Sequence, residues 1–184
     1  MKDQKSICAL MLFAIVMLTM GIADAQTTAV GPYYANPAWD QKLDCTTPSN
    51  CPRFIVLANW NSAAVLDRET GLVWQRTPDD DFQWFVAHTR CRSTPTGGRH
   101  GWRLPTIQEL MSLRDPAATV APFLPPGHPF NVQAVDYWSA NTSVVNASNA
   151  WFLRLGDAGV PLVEAKNLSK FVWCVRGGSG VDPQ

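Results

Sequence analysis

The chain has little of what catalysis and nucleic-acid binding require. It contains only three histidines, and its fifteen basic residues are matched by fifteen acidic ones. A protein without net charge produces no overall field that attracts nucleic acid, so we expect no nucleic-acid partner. His88, His100 and His128 are scattered, and no nucleophile-elbow glycine pattern supports a catalytic arrangement. The sequence therefore predicts a non-enzymatic protein without a cofactor, whose histidines lie in loops or on the surface.

An uncharged apolar run extends from Ile7 to Met20. It is short for a membrane span, which needs roughly 20 apolar residues. Two lysines precede it and Ala23-Asp24-Ala25 follows, which is the pattern of a secretory signal peptide. We therefore predict that residues 1–25 are a signal peptide and that the mature protein is secreted or periplasmic, with no membrane insertion. A retained membrane anchor is the alternative.

The cysteines agree with export. Cys8 lies in the predicted signal, which leaves Cys45, Cys51, Cys91 and Cys174 and three possible pairings. We favour Cys45–Cys51, which closes a small Pro/Ser/Asn loop, together with a long-range Cys91–Cys174 bridge. The alternative is a zinc site, but C-x-x-C spacing and a nearby histidine pair are both missing.

The mature chain, about 160 residues long, has the length of a single domain. Residues 26–52 are predicted to be an irregular lead-in with the small disulfide loop, residues 53–178 a folded domain, and residues 179–184 a flexible tail. Short apolar runs bounded by turn residues predict strands at 53–57, 64–67, 72–76, 102–104, 137–140, 150–155, 160–165 and 171–176.

Two helices are predicted between these strands. The acidic run Asp79–Asp81 suits the positive N-terminal end of a helix, so we place the first helix start there. Its inward face would carry Phe82, Phe85 and Val86, with Cys91 near its end.

The second helix is predicted at residues 107–114. Thr106 can accept a backbone N–H bond and Glu109 can reach back to complete a capping box. Five prolines between residues 116 and 136 then predict a long irregular loop, a kind of segment that often carries function.

One stretch looks suited to ligand binding because it is rich in cations. Arg90, Arg92, Arg99 and His100 follow one another closely around the end of the first helix. If they share a face, they could recognise sulfate or carboxylate groups through charge-assisted bonds. The alternative is a solvated loop whose arginines pair with acidic residues.

Five of the eight tryptophans lie in predicted strands and are expected in the core. They are Trp74, Trp102, Trp138, Trp151 and Trp173. The other three, Trp39, Trp60 and Trp84, lie outside the predicted strands and are not assigned to the core or to the surface.

Four sequence blocks occur in a recognisable order. They are Asp67…Thr70-Gly71-Leu72-Val73-Trp74, Gly101-Trp102-Arg103-Leu104-Pro105-Thr106…Glu109-Leu110, Tyr137-Trp138-Ser139 and Trp173-Cys174-Val175-Arg176. The set resembles the Legionella collagen-like protein C-terminal domain family over about residues 53–178. The resemblance implies an α+β, C-type-lectin-like fold of bacterial origin. It would have two helices on antiparallel sheets, a long irregular loop region and a disulfide from the first helix to the last strand. The block residues would then be structural, Arg103 included.

The chain also departs from proteins with this architecture. It has no collagen-like Gly-X-Y tract, and it lacks the triplets with which C-type lectins bind calcium and sugar. The block Arg103-Leu104-Pro105-Thr106 is similar to one in formylglycine-generating enzymes, but those need a reactive cysteine pair. We therefore expect a binding or adhesion domain that recognises a sulfated or acidic glycan or a surface protein. An enzyme of the formylglycine-generating type and a structural subunit of an envelope assembly are the alternatives.

Overall fold

A computed structural model describes residues 53–157 and 159–177, and these contain two α-helices and nine β-strands. The helices are α1 (Trp84–Ser93) and α2 (Ile107–Ser112). The strands are β1 (Phe54–Val56), β2 (Ala64–Asp67), β3 (Val73–Gln75), β4 (Asp79–Gln83), β5 (Asp136–Thr142), β6 (Asn149–Arg154), β7 (Val160–Ala165), β8 (Ser169–Val172) and β9 (Val175–Arg176). Two short 3-10 helices, Ala58–Trp60 and Thr96–Gly98, were not expected from the sequence.

The strands form two sheets, ordered β1-β2-β3-β9 and β4-β8-β5-β6-β7. The α+β class is therefore confirmed. The expectation of purely antiparallel sheets is wrong at one place, where β5 and β8 pair in parallel through Tyr137 and Phe171. These two strands are not joined by a hairpin, so no tight turn imposes the antiparallel direction on them.

The segment 171–176 is predicted as one strand, but the structure divides it between the two sheets. β8 belongs to the second sheet and β9 to the first, and Trp173 and Cys174 connect them. Buried Gln75 holds this crossing: its carbonyl accepts the Trp173 indole N–H at 2.8 Å, and its Oε1 accepts the Cys174 N–H at 2.9 Å. The Cys174 N–H is thus satisfied by a side chain rather than by a neighbouring strand, so the chain can pass from one sheet to the other without leaving this buried donor unpaired.

The predicted start of the first helix at Asp79–Asp81 is wrong. These residues form β4, which pairs with β8, and the helix begins at Trp84. Pairing with a strand about ninety residues away satisfies their backbone groups, which outweighs the local preference of acidic residues for a helix start. The helix also presents a different face to the core from the one predicted, because Phe85 and Val86 are exposed; the buried residues are Trp84, Ala87 and Cys91.

Helix α2 has the predicted capping box. The Thr106 hydroxyl accepts the Glu109 N–H at 3.1 Å, and the Glu109 carboxylate accepts the Thr106 N–H at 2.8 Å. The helix ends at Ser112, two residues earlier than expected. Residues 113–135 contain neither helix nor strand, as the prolines predict.

The core consists of two hydrophobic clusters, one behind each helix. Helix α2 packs on the cluster that contains Trp74 and Trp173, and α1 packs on the cluster that contains Trp102 and Trp138. These four tryptophans are almost fully buried, as predicted, whereas the fifth is only partly buried. Tryptophan burial on this scale is a large part of the hydrophobic stabilisation.

The predicted long-range disulfide is present: Cys91 of α1 is bonded to Cys174, with an S–S distance of 2.07 Å. Among the described residues, none of the helices has both the length and the hydropathy that a membrane crossing requires. The predicted signal peptide, the lead-in with its Cys45–Cys51 loop, and the tail at 179–184 lie outside the described residues.

Candidate functional site

The four predicted cationic residues differ in the groups that they contact. Arg90 is exposed on α1, and its Nε lies 3.0 Å from the Asp79 carboxylate of β4. The hydrogen bond to Asp79 raises the pKa of the Arg90 guanidinium. Arg90 is therefore already paired with a carboxylate, and Arg92 is exposed in the last turn of the same helix. Arg90 therefore has the environment that the alternative interpretation predicts, since it is exposed to solvent and paired with an acidic residue.

Arg103 is also committed to the scaffold. Its guanidinium donates to both carboxylate oxygens of Glu109, at 2.7 and 2.6 Å, and to the Gly177 carbonyl at 2.9 Å. Glu109 is buried, so this pair is sheltered from solvent. Arg103 is thus a structural residue of the block that contains it.

Arg99 lies beside Trp60. The Arg99 guanidinium lies 5.4 Å from the centroid of the Trp60 ring, and the Arg176 guanidinium lies at the same distance from that ring. Within residues 53–157 and 159–177, neither arginine forms a salt bridge. One indole ring therefore holds two guanidinium groups that have no carboxylate partner in this part of the chain; we call Trp60, Arg99 and Arg176 the Trp60 cluster.

The position of Trp60 depends on its neighbours. Its ring meets that of buried Trp102 edge to face, with centroids 6.4 Å apart. Gly97 approaches so closely that a Cβ atom there would lie 2.8 Å from Trp60 Cβ. The Trp102 indole N–H also donates to the Arg99 carbonyl at 2.9 Å. Contacts with the Trp102 indole therefore fix the position of the Trp60 ring and that of the Arg99 backbone.

His100 contributes its backbone rather than its ring. Its carbonyl accepts the Arg176 Nε–H at 2.8 Å, which orients the Arg176 guanidinium. Arg176 lies here because the residue before it, Val175, forms an antiparallel β-bridge with Arg103. Sequence proximity could not reveal this, since Arg176 follows Arg99 by 77 positions in the chain; its only signal was membership of the fourth sequence block.

A separate cavity of about 730 Å³ opens beside α2 and β5. Gln108, Asn141 and Thr142 give it polar groups, and Trp151 forms part of its wall. The Asn141 side-chain oxygen accepts the Ile107 N–H at 2.7 Å, so it also supports the first turn of α2. Trp151 is half-buried: it packs against the cluster behind α2 and also lines this cavity, so its assignment to the core is confirmed only in part.

The model of the Lcl C-terminal domain family matches residues 63–176. The chain belongs to that family. The match covers more than half of the chain and includes both helices and eight of the nine strands in the described residues. No curated protein matches the chain.

The matched region of this Lcl C-terminal domain contains two members of the Trp60 cluster, Arg99 and Arg176, while Trp60 lies just before it. It also contains both cysteines of the disulfide. Among the described residues, no group of three or more histidine, cysteine or acidic side chains is arranged to hold a metal ion.

Proposed function

We propose that the protein is a secreted or periplasmic binding domain that recognises sulfated glycans through the Trp60 cluster. The observation that carries this proposal is the pair of guanidinium groups held by one indole ring, each 5.4 Å from its centroid. Because both lie so close to the same point, they are near enough for one oligosaccharide to reach both.

The chemistry of the two arginines favours an anionic ligand with oxygen acceptors. A guanidinium is planar, weakly hydrated and able to bond a sulfate or carboxylate through two parallel N–H groups. The Trp60 ring and the His100 carbonyl restrict both side chains before a ligand arrives, so less side-chain entropy is lost on binding. Since the chain has no net charge, recognition would come from this local surface rather than from long-range attraction.

The architecture supports the C-type-lectin-like assignment as part of the same proposal. Two helices pack against two sheets, and a long irregular segment spans residues 113–135. A disulfide joins α1 to Cys174, just before the last strand. Arg99 lies in the loop that follows the 3-10 helix Thr96–Gly98, and loops carried by a rigid scaffold often hold binding residues.

A panel of immobilised polysaccharides tests the proposal. The mature protein is passed over heparin, fully desulfated heparin and hyaluronan at increasing salt concentrations. We expect retention on heparin, release as salt screens the ionic contacts, and little retention on the two unsulfated polymers. Equal retention on heparin and desulfated heparin would show that sulfate is not recognised.

The formylglycine-generating alternative has less support. That chemistry needs free thiols, whereas Cys91 and Cys174 are fully buried and bonded to each other. Mass spectrometry of the purified protein can decide the point. A free Cys91 thiol together with bound copper would favour the enzyme, and a quantitative Cys91–Cys174 disulfide without copper supports the binding domain.

A further inference from the structure

Two buried lysines near the second sheet differ in how their charge is balanced. Lys170 of β8 is 7% exposed, and its ammonium lies 3.1 Å from Asp136 and 3.0 Å from Glu164. Burial of a lysine ordinarily requires such partners, because an unpaired charge is costly away from water. Lys170 shows how this domain neutralises a buried ammonium by itself.

Lys166 is buried to nearly the same extent but has no such partner. It is 9% exposed, and within the described residues no carboxylate lies within salt-bridge distance of it. Its ammonium donates one hydrogen bond, to the Thr142 hydroxyl at 2.8 Å, and lies 4.0 Å from the centroid of the Trp84 ring. Burial lowers the pKa of Lys166, as expected for an ammonium without an opposing charge.

Lys166 lines a cavity of about 520 Å³, a size within the range of small-molecule sites. The other polar side chains of its wall are those of Gln83, Ser148 and Asn167, all of them neutral hydrogen-bonding groups. Phe85, 68% exposed, adds an aromatic ring at the same wall. The wall of the cavity therefore combines a lysine that has no carboxylate partner among the described residues, several neutral polar groups and an aromatic ring.

We propose that this cavity binds a small organic carboxylate, whose negative charge takes the place at Lys166 that Asp136 and Glu164 take at Lys170. A single ammonium balances one negative charge, which suits a carboxylate better than a phosphate dianion. The neutral polar groups accommodate the second carboxylate oxygen and neighbouring hydroxyl or amide groups, and the Phe85 ring contacts the body of the ligand. The site shares no residue with the Trp60 cluster, so it does not depend on the function proposed above.

Nuclear magnetic resonance of the unmodified mature protein provides the first test. The ¹⁵N-labelled protein is titrated with two carboxylates, glucuronate and N-acetylglycine, and with their neutral counterparts, glucose and N-acetylglycinamide. We expect the backbone amide signals of Gln83, Ser148 and Asn167 to shift with at least one carboxylate and not with its neutral counterpart. The carboxylate that binds with the higher affinity shows whether the ligand is an acidic sugar or an amino acid derivative. Absence of shifts at millimolar concentration, or equal shifts with the neutral compounds, would overturn the proposal.

A pair of variants provides the second test. Lys166→Met keeps most of the side-chain length but removes the charge, and we expect it to weaken carboxylate binding about tenfold or more. The matched control is Arg154→Gln, which removes one positive charge from the same sheet, where Arg154 already lies 3.3 Å from Asp136. The control should bind within about twofold of the wild type. Undiminished binding by Lys166→Met would overturn the proposal, and the titration of the wild type decides the matter if that variant fails to fold.

Discussion

The Glu109 carboxylate bonds Arg103 through both of its oxygens, at 2.7 and 2.6 Å, and one of them also accepts the Thr106 N–H. One buried acid thus closes the cap of α2 and neutralises an arginine that lies before the helix. Arg103 in turn bridges Val175 of β9, the neighbour of Arg176. The family block is therefore a scaffold that connects α2 to the strand carrying one arginine of the Trp60 cluster.

Replacing this acid should destabilise the fold strongly. Glu109→Gln leaves the Arg103 charge without its partner, and breaking a largely buried pair costs about 3 kcal/mol or more in the free energy of unfolding. Urea denaturation followed by tryptophan fluorescence measures the loss. The control is Glu69→Gln, because Glu69 pairs with Arg53 but its side chain is 41% exposed, so the cost should be below about 1 kcal/mol. Equal losses in the two variants would mean that Arg103–Glu109 has no special structural role.

The Cys91–Cys174 disulfide should stabilise the domain by constraining the unfolded chain. The cysteines are separated by 83 positions, and closing a loop of that size is worth about 4–5 kcal/mol in the chain-entropy description. We expect the double variant Cys91→Ala/Cys174→Ala to lose most of this free energy of unfolding in denaturant titrations. A loss below about 1 kcal/mol would show that the unfolded chain is not much constrained by the bridge.

Gly97 and Gly98 offer a matched test of how Trp60 is positioned. Both have positive φ, 63° and 69°, so alanine is strained at either place by about 1 kcal/mol. Only at Gly97 would the new Cβ meet Trp60, whereas nothing lies within 4 Å of a Cβ at Gly98. Gly97→Ala should therefore displace Trp60 and lower the salt concentration at which the protein leaves heparin, and Gly98→Ala should not. Identical elution of both variants would separate heparin binding from the Trp60 position.

His128 should make the fold sensitive to mild acid. No group in the described part of the chain hydrogen-bonds its buried Nδ1, and burial lowers the pKa of the ring below its ordinary value of about 6.5. As the pH falls below that value, the unfolded chain takes up a proton first, so the free energy of unfolding decreases until the folded-state pKa is passed. Denaturation of His128→Gln between about pH 7 and pH 5 should show a shallower decrease than the wild type. An equal decrease of the free energy of unfolding with pH in His128→Gln and in the wild type would contradict the lowered pKa of His128.

The sequence predicts the parts of the fold that depend on neighbouring residues. Thr106 and Glu109 are three positions apart, so the capping box and the start of α2 follow from local chemistry alone. The start of α1 does not, because pairing with β8 outweighs the acidic run at Asp79–Asp81. In the same way, alternation identifies Trp151 as a strand residue but cannot show that its ring lines a cavity.

The candidate site was predictable only in part. The sequence points to Arg99 because it lies in a cationic stretch, but that stretch also contains Arg90, whose partner Asp79 comes from β4. Arg176 and Trp60 join Arg99 through contacts between three separate elements, and such contacts depend on the packing of the whole domain. No sequence pattern points to Lys166, because the lack of a carboxylate near it among residues 53–157 and 159–177 is a property of the folded chain.

The salt concentration at which the protein elutes from heparin tests the central claim most directly, when wild type is compared with Arg99→Gln/Arg176→Gln and with Arg90→Gln. The double variant removes both guanidinium groups of the Trp60 cluster, whereas Arg90 is already paired with Asp79. We expect the double variant to elute at much lower salt and Arg90→Gln to elute near the wild type. Elution of the double variant at the wild-type salt concentration would contradict sulfated-glycan recognition by the Trp60 cluster.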